Sequence, residues 1–197
     1  MKKIGLTGGL GSGKSAALRF FYALGANTLN ADDIAKHLLK SNPALIAKVR
    51  ESFGHDCYEN GELQAGILAA RAFCSAEKQQ VLNAIVHPPL REYLCKYLQA
   101  SSAIPGVMVV EAALLFEAGF TELFDLNILI TADTAVRIRR AEERKTLSPE
   151  EIRRRIALQM PDEEKRPLAD IIIENNGSED ALQEACREIW ESRIRVS

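Results

Sequence analysis

A glycine-rich turn close to the start of the chain constrains the fold more than any other feature of the sequence. An apolar run, Lys3–Thr7, leads into GGLGSGKS, in which Gly8, Gly13, Lys14 and Ser15 fit the pattern G-x-x-x-x-G-K-[ST]. Glycine permits backbone angles that turn successive N–H groups inward, and a following helix adds the positive end of its dipole. The stretch therefore predicts a strand, an anion-binding loop and a helix, in that order.

The loop predicts a site for a nucleoside triphosphate and Mg²⁺. The Lys14 ammonium can reach the β- and γ-phosphate oxygens, and the Ser15 hydroxyl can bind the metal ion. A glycine-rich turn that binds nothing is the alternative. The residues expected to contact ATP here are Gly9, Gly11, Ser12, Gly13, Lys14, Ser15 and Ala16.

Three classes of nucleotide-binding protein remain open at this point: small-molecule kinases, GTPase switches and motor-type ATPases. No N-K-x-D sequence follows a later strand, which disfavours a site that reads guanine. A chain of 197 residues with a helical insertion and an arginine-rich segment is more typical of the small kinases.

Short apolar runs alternate with helical stretches, which favours an α/β fold with a mostly parallel sheet, flanked by helices on both faces. A long stretch with helical periodicity separates the second strand from the third. We expect it to form a lobe over the C-terminal edge of the sheet, where open α/β sheets bind ligands. The predicted strands are Lys3–Thr7, Asn27–Asn30, Val107–Glu111, Leu126–Thr131 and Ile171–Glu174.

Several helix boundaries can be assigned from capping residues. Gly25 suits the position just after a helix, and Ser178 suits a helix N-cap. Ser148 and Glu151 are spaced as a capping box. The pair Pro88–Pro89 indicates that one helix ends at His87 and another begins.

Composition excludes some functions. A net charge of −2 and a pI near 6.0 give no basic excess for nucleic acid. No stretch approaches the roughly 20 apolar residues of a membrane span. The four cysteines are scattered without a C-x-x-C pair, which favours reduced thiols and a cytoplasmic protein.

An arginine-rich segment, RIRRAEERK followed by SPEEIRRR, predicts a lid. Guanidinium groups match phosphate oxygens and stabilise the charge of a transferring phosphoryl group. Arg140 and Arg144 share one helical face at i, i+4 spacing. The alternative is a solvated helix whose arginines pair with neighbouring glutamates.

Two aspartates directly follow the second predicted strand. Asp32 and Asp33 are therefore expected close to the phosphate loop, where a carboxylate can accept the proton of an attacking hydroxyl. Helix N-capping is the alternative, and one of the pair can serve each purpose. We favour Asp32 for the chemistry.

Seven motifs together resemble the dephospho-coenzyme A kinase family over nearly the whole chain. The phosphate loop alone is unspecific, whereas the order and spacing of the set are specific. The motifs are GLTGGLGSGKS, ADDIA, HPPL, LLFE, RRAEER, LQMPDEEK and ADIIIENNG.

The resemblance implies a P-loop NTPase fold with a five-stranded parallel sheet, a helical substrate-binding lobe and a lid. It also implies transfer of phosphate from ATP to the ribose 3′-hydroxyl of dephospho-CoA, giving CoA and ADP. The implied parts of the single domain are a core of 1–30, 104–136 and 166–197, a lobe of 31–103, and a lid of 137–165.

The same resemblance implies roles for individual residues. Asp32 matches the general base and substrate contact, Lys14 the phosphate-binding lysine, and Arg140 an arginine that contacts the transferring phosphate. Asn175 matches an asparagine beside the adenine of ATP. The remaining implied substrate contacts are His87, Glu111, Leu115 and Phe116.

The chain departs from the family pattern at four positions near the site. Ala16 stands where threonine is common, and Asn30 where an acid is common. In the segment that the family often reads D-x-P-L-L-F-E, Glu111 and Ala113 stand in place of the aspartate and the proline. A kinase for another small hydroxyl acceptor, such as a nucleoside monophosphate, and a nucleotide-dependent switch are the rival functions. We expect a monomer whose only partners are ATP and dephospho-CoA.

Overall fold

A computed structural model describes residues Met1–Arg195 and contains a five-stranded parallel sheet with the order β2-β5-β1-β6-β7. Numbered along the chain, the strands are β1 (Lys2–Gly8), β2 (Asn27–Asn30), β3 (Tyr58–Glu59), β4 (Glu62–Leu63), β5 (Val107–Glu111), β6 (Leu126–Thr131) and β7 (Ile171–Glu174). β1 lies at the centre of the sheet, so the loop that follows it emerges between two buried neighbours. All five predicted strands of the sheet are confirmed.

Nine α-helices accompany the strands within residues 1–195. They are α1 (Lys14–Ala23), α2 (Ala31–Ser41), α3 (Pro43–Phe53), α4 (Ala65–Ala72), α5 (Ala76–Ala100), α6 (Thr134–Glu143), α7 (Pro149–Ala157), α8 (Asp162–Lys165) and α9 (Glu179–Ile189), and one turn of π-helix, Trp190–Ile194, continues the last. The capping predictions hold. Gly25 follows α1 with φ 103°, Ser148 and Glu151 form a capping box, and Ser178 accepts a hydrogen bond from the Ala181 N–H.

The chain divides into two compact units, the first comprising residues 1–30 and 98–197 and the second residues 31–97. The first boundary coincides with the expected start of the lobe. The second boundary falls at 97/98, whereas the lobe was expected to end at 103, and residues 137–165 group with the sheet. Whether those residues act as a lid stays a prediction.

The core of the first unit lies between the sheet and the helices α1 and α9. Ile4 and Ile128 on neighbouring strands are fully buried, as is Phe21 of α1. The ring of Phe21 lies 6.4 Å from that of Trp190, centroid to centroid. Because these strands are buried on both faces, their sequences are continuously apolar rather than alternating.

The second unit contains α2 to α4 and most of α5, together with a small hairpin. β3 and β4 are joined by Asn60 and Gly61, both with positive φ, and Asn-Gly is the strongest short hairpin signal in a sequence. The prediction of an entirely helical lobe overlooked it.

The prediction of a helix break at Pro88–Pro89 is wrong, because α5 runs through both prolines. A proline inside a helix removes one backbone hydrogen bond and ordinarily breaks or kinks it. Buried residues at four-residue spacing continue across this point, and they are Leu82, Val86, Leu90 and Leu94. Packing of this apolar stripe therefore outweighs the local preference of the prolines.

Candidate active site

The loop between β1 and α1 forms the anion-binding cradle that the sequence predicts. Gly13 is the N-cap of α1 and has φ 104°, and a Cβ at this position would collide with the side-chain amide of Asn175. Only glycine fits there without strain. Lys14 and Ser15 occupy the first turn of α1, where backbone N–H groups have no partner within a helix. These donors and the helix dipole favour a phosphate group.

The two side chains of the loop that carry the predicted chemistry lie at its C-terminal end. Lys14 Nζ donates a hydrogen bond to the Gly9 carbonyl at 3.2 Å. Ser15 is exposed, and its hydroxyl donates to Glu111 Oε1 at 3.1 Å. Glu111 ends β5 beside β1 and is only 3% exposed. The loop and the neighbouring strand therefore place a hydroxyl and a carboxylate side by side.

Asn30 and Glu111, two of the departures from the family pattern, meet directly in the structure. β2 and β5 pair in parallel with Asn30 opposite Glu111, and Asn30 Nδ2 donates to Glu111 Oε2 at 3.2 Å. An acid at position 30 would set two carboxylates against each other. The amide instead donates to the carboxylate, so the two departures are chemically compatible.

The residues at this edge fit a Mg²⁺ ion. Mg²⁺ prefers oxygen ligands and is usually held by one or two protein side chains together with substrate phosphates. The Ser15 hydroxyl and the Glu111 carboxylate are such oxygens, 3.1 Å apart and beside the cradle. The donor set therefore suits a magnesium ion that also binds phosphate oxygens.

Asn175 holds the loop from the opposite side. This residue follows β7, is 5% exposed, and donates from Nδ2 to the buried Ser12 carbonyl at 2.8 Å. Arg140, in α6, donates to the carbonyls of Asn175 at 2.7 Å and Gly177 at 2.8 Å. Arg140 is thereby attached to the segment after β7.

A cavity of ≈ 320 Å³ opens between α1, α6 and the segment after β7. Its lining includes Gly13, Ala16, Arg140, Asn175 and Leu182. The walls combine small apolar surface and the Asn175 amide with charged groups at the edge, which are the guanidinium groups of Arg19, Arg140 and Arg144 and the carboxylates of Glu143 and Glu179. Such a lining suits a flat, polar-edged ring next to the phosphate loop.

The LLFE segment is mostly interior. Leu115 is fully buried, and its Cδ1 would lie 2.7 Å from a Cβ at Gly5. Phe116 is 7% exposed. Their contact with substrate stays a prediction. Glu117 Oε1 accepts the Met160 N–H at 3.2 Å and lies 3.1 Å from the buried Lys165 Nζ, so this acid anchors the LQMPDEEK segment.

Two predicted site residues belong to the second unit. Asp32 lies in the first turn of α2, two residues after the end of β2, where a negative charge also complements the helix dipole. Its neighbour Asp33 pairs with Lys36 at 2.8 Å on an exposed surface. His87 is half-buried within α5. The catalytic role of Asp32 and the substrate contact of His87 stay predictions.

Sequence reasoning missed residues that hold the phosphate loop from outside. Gln159 and Arg137 bind the backbone of Leu10, and Asp162 binds Arg137. The LQMPDEEK motif contains Gln159 and Asp162, and its place in the family pattern does not indicate what these side chains do. Nothing local in the sequence indicates that these side chains reach the loop.

The order of the sheet and the cradle after its central strand define a P-loop kinase. Shikimate kinase from Acinetobacter baumannii, solved in complex with shikimate, shares this fold with a TM-score of 0.62. The likeness covers 100% of this chain and 96% of that chain at 12% identity.

The chain belongs to the dephospho-CoA kinase family, whose model matches residues 2–181. A dephospho-CoA kinase from Corynebacterium diphtheriae is 39% identical over 97% of this chain and 96% of its own length. The dephospho-CoA kinase structure from Campylobacter jejuni has a TM-score of 0.71 at 26% identity and covers 97% of this chain and 96% of that one.

This family catalyses the final step of coenzyme A biosynthesis, in which ATP phosphorylates the 3′-hydroxyl of dephospho-CoA. The family and the fold expected from the sequence are therefore confirmed. Over residues 1–195, no helix is both long and apolar enough to cross a membrane.

Proposed function

We propose that this chain transfers the γ-phosphoryl group of ATP directly to the 3′-hydroxyl of dephospho-CoA, without a covalent enzyme intermediate. The loop from Gly8 to Ser15 binds the ATP phosphates through backbone N–H groups, and Lys14 moves from the Gly9 carbonyl to phosphate oxygens. The observation that carries the proposal is the pairing of Ser15 with Glu111 beside this loop at 3.1 Å. It supplies oxygen ligands where a magnesium nucleotide needs them.

Mg²⁺, when bound with ATP by Ser15 and Glu111, neutralises charge on the phosphate oxygens. Asn30 keeps the Glu111 carboxylate oriented through its hydrogen bond at 3.2 Å. Asp32 accepts the proton of the 3′-hydroxyl, or orients that hydroxyl for in-line attack.

The cavity beside Gly13 binds the adenine ring. Ala16 and Leu182 offer apolar contact, and the guanidinium of Arg140 can lie against a flat ring. The Asn175 side chain is hydrogen-bonded to the Ser12 carbonyl, so its main contribution to this pocket is to keep the phosphate loop in position. The contact of Arg140 with the transferring phosphate remains a separate expectation.

Residues 137–165 act as the lid, and residues 31–103, including His87, bind the acceptor together with Leu115 and Phe116. A lid that closes after both substrates bind excludes water and limits ATP hydrolysis. The proposal includes a cytoplasmic monomer without nucleic acid or membrane partners.

One assay tests the proposed reaction. Wild-type protein is supplied with ATP, Mg²⁺ and dephospho-CoA, and CoA and ADP are measured against a nucleoside monophosphate as acceptor. We expect CoA with the first acceptor and no product with the second. Phosphorylation of the monophosphate alone would overturn the proposal, and so would slow ATP hydrolysis that ignores both acceptors.

Variants of the site should lower turnover without unfolding the chain. Lys14→Ala and Asp32→Asn should each reduce turnover at least about a hundredfold, as expected for lost electrostatic or proton-transfer contributions. Asp33→Asn is the matched control. It removes an exposed pair with Lys36, and such pairs contribute about 0–1 kcal/mol. Near-normal turnover of Asp32→Asn would remove Asp32 as the base.

A further inference from the structure

Leu10, in the middle of the phosphate loop, is held by side chains from outside the loop. Gln159 follows α7 just after its C-cap, and its Oε1 accepts the Leu10 N–H at 2.9 Å. Arg137 of α6 donates from Nε to the Leu10 carbonyl at 3.0 Å. Both polar backbone groups of Leu10 are therefore bound by side chains that belong to the proposed lid segment, 137–165, and that have no individual role in the proposed phosphoryl transfer.

The loop is shaped around Arg137. A Cβ on Gly9 would collide with the Arg137 guanidinium, and one on Gly11 would collide with the Arg137 backbone carbonyl. The glycines on either side of Leu10 thus let the loop lie directly against α6. Arg137 is only 6% exposed, so this contact belongs to the interior of the first unit rather than to its surface.

The two residues that bind Leu10 are themselves fixed. Arg137 Nη2 lies 3.4 Å from Gln159 Oε1, and Nη1 lies 3.5 Å from Asp162 Oδ1. The other oxygen of Asp162 accepts a hydrogen bond from Thr131, the last residue of β6. Because a buried charge is costly unless it is paired, this network keeps Arg137 in one position.

We propose that Gln159 is a positioning residue for the phosphate loop, acting with Arg137 to hold Leu10 in the conformation that binds ATP. This inference rests on the proposed function, since it assigns a purpose to the ATP site. A loop already held in place loses less conformational freedom when phosphate binds. Because Gln159 lies two residues after the end of α7, the bond to Leu10 also connects the base of the proposed lid to the phosphate loop.

The acceptor atom can be removed with little change in volume. Gln159→Met should raise the dissociation constant of Mg²⁺-ATP about tenfold, measured by calorimetry, while the KM for dephospho-CoA stays within about twofold. Gln159→Ala removes the same acceptor without adding bulk and should raise the dissociation constant of Mg²⁺-ATP by a similar factor. Gln183→Met, at an exposed position of α9, is the matched control and should bind as the wild type does.

Hydrogen exchange of the Leu10 amide provides a readout without nucleotide. Gln159→Met should speed this exchange about tenfold, because the N–H loses its acceptor. Gln159→Glu keeps an acceptor oxygen and should restore the protection. Its added negative charge lies beside the phosphate site, so the rescue is judged by exchange rather than by ATP affinity.

The outcomes separate this inference from the proposed function. Wild-type ATP affinity and wild-type protection of Leu10 in Gln159→Met would overturn the inference, even if the wild type makes CoA. An equally fast exchange in Gln159→Glu and Gln159→Met would also overturn it. A wild-type protein that protects Leu10 and makes no CoA would overturn the proposed function instead.

Discussion

The hydrogen bond from Asn175 to the Ser12 carbonyl gives a sharp test of how the phosphate loop is held. Asn175→Asp keeps the shape of the side chain but replaces its N–H donor with an oxygen. In the folded chain this oxygen lies about where Nδ2 is now, 2.8 Å from the Ser12 carbonyl. The position is 5% exposed and Ser12 is fully buried, so water cannot supply the missing proton. Ionisation of the new carboxyl group is therefore opposed both by burial and by the facing carbonyl.

The expected cost depends on pH. Burial raises the pKa of a carboxyl group, by up to about 3–5 units for a fully buried one. Arg140 binds the backbone carbonyl of the same residue at 2.7 Å and offsets part of this rise. A rise of about 3 units corresponds to a loss of about 4 kcal/mol once the group is ionised. We expect a deficit of about 2–4 kcal/mol at pH 8.

Proton linkage determines whether the stability of Asn175→Asp rises or falls with pH. The folded-state pKa of the new carboxyl lies above the unfolded value of about 3.9, so the folded chain binds the extra proton. The stability of Asn175→Asp is therefore retained below that unfolded value and is lost as pH rises through the folded pKa. At low pH the protonated acid can again donate to the Ser12 carbonyl. The deficit relative to wild type should be about 2–3 kcal/mol larger at pH 8 than at pH 5.

Urea unfolding at several pH values measures this difference. Trp190 is the single tryptophan and is buried in the first unit, so its fluorescence follows that unit. Asn175→Ala is the control, because it leaves the Ser12 carbonyl without its partner at any pH and should cost a constant amount of about 1–3 kcal/mol. Parallel pH curves for the two variants would refute the reasoning, as would an Asn175→Asp variant as stable as wild type at pH 8.

Two further predictions concern side chains away from the site. Burial raises the pKa of the Cys186 thiol to about 12, so a thiol reagent at pH 8 should label the exposed Cys74 rapidly and Cys186 only after unfolding. Because the folded thiol keeps its proton, the free energy of unfolding should also fall above about pH 9. Rapid labelling of Cys186 in the native protein would contradict this prediction. Ser148→Ala should cost about 1 kcal/mol in thermal unfolding. In the capping box, the backbone N–H of Ser148 is the larger cause of the lowered pKa of Glu151, and the Ser148 hydroxyl is a smaller one. Ser148→Ala keeps the backbone N–H, so the pKa of Glu151 should rise only part of the way to its usual value, and an unchanged NMR titration would contradict the contribution of the hydroxyl.

Two features of the structure show what cannot be predicted from local sequence. Asn30 and Glu111 are 81 positions apart, and each alone is only a departure from a pattern. Their hydrogen bond becomes visible once β2 and β5 are paired in register. The prolines of α5 show the converse, since a strong local preference for a helix end is overridden by the burial of an apolar stripe.

The sequence by itself determined the features that depend on neighbours along the chain. The strand–loop–helix around Lys14, the capping box at Ser148 and the apolar strands follow from backbone freedom, local hydrogen bonding and periodicity, which act over a few residues. The Asn-Gly turn of the β3–β4 hairpin is an equally local feature and can be predicted from the sequence in the same way.

Only the tertiary structure decided what holds the phosphate loop. Asn175 reaches the Ser12 carbonyl from 163 positions away, and Gln159 reaches the Leu10 N–H from 149. These bonds form because the parallel sheet brings the ends of β1, β6 and β7 to one edge and packs α6 against the loop. No local pattern encodes such distances, since they depend on how all the strands are ordered.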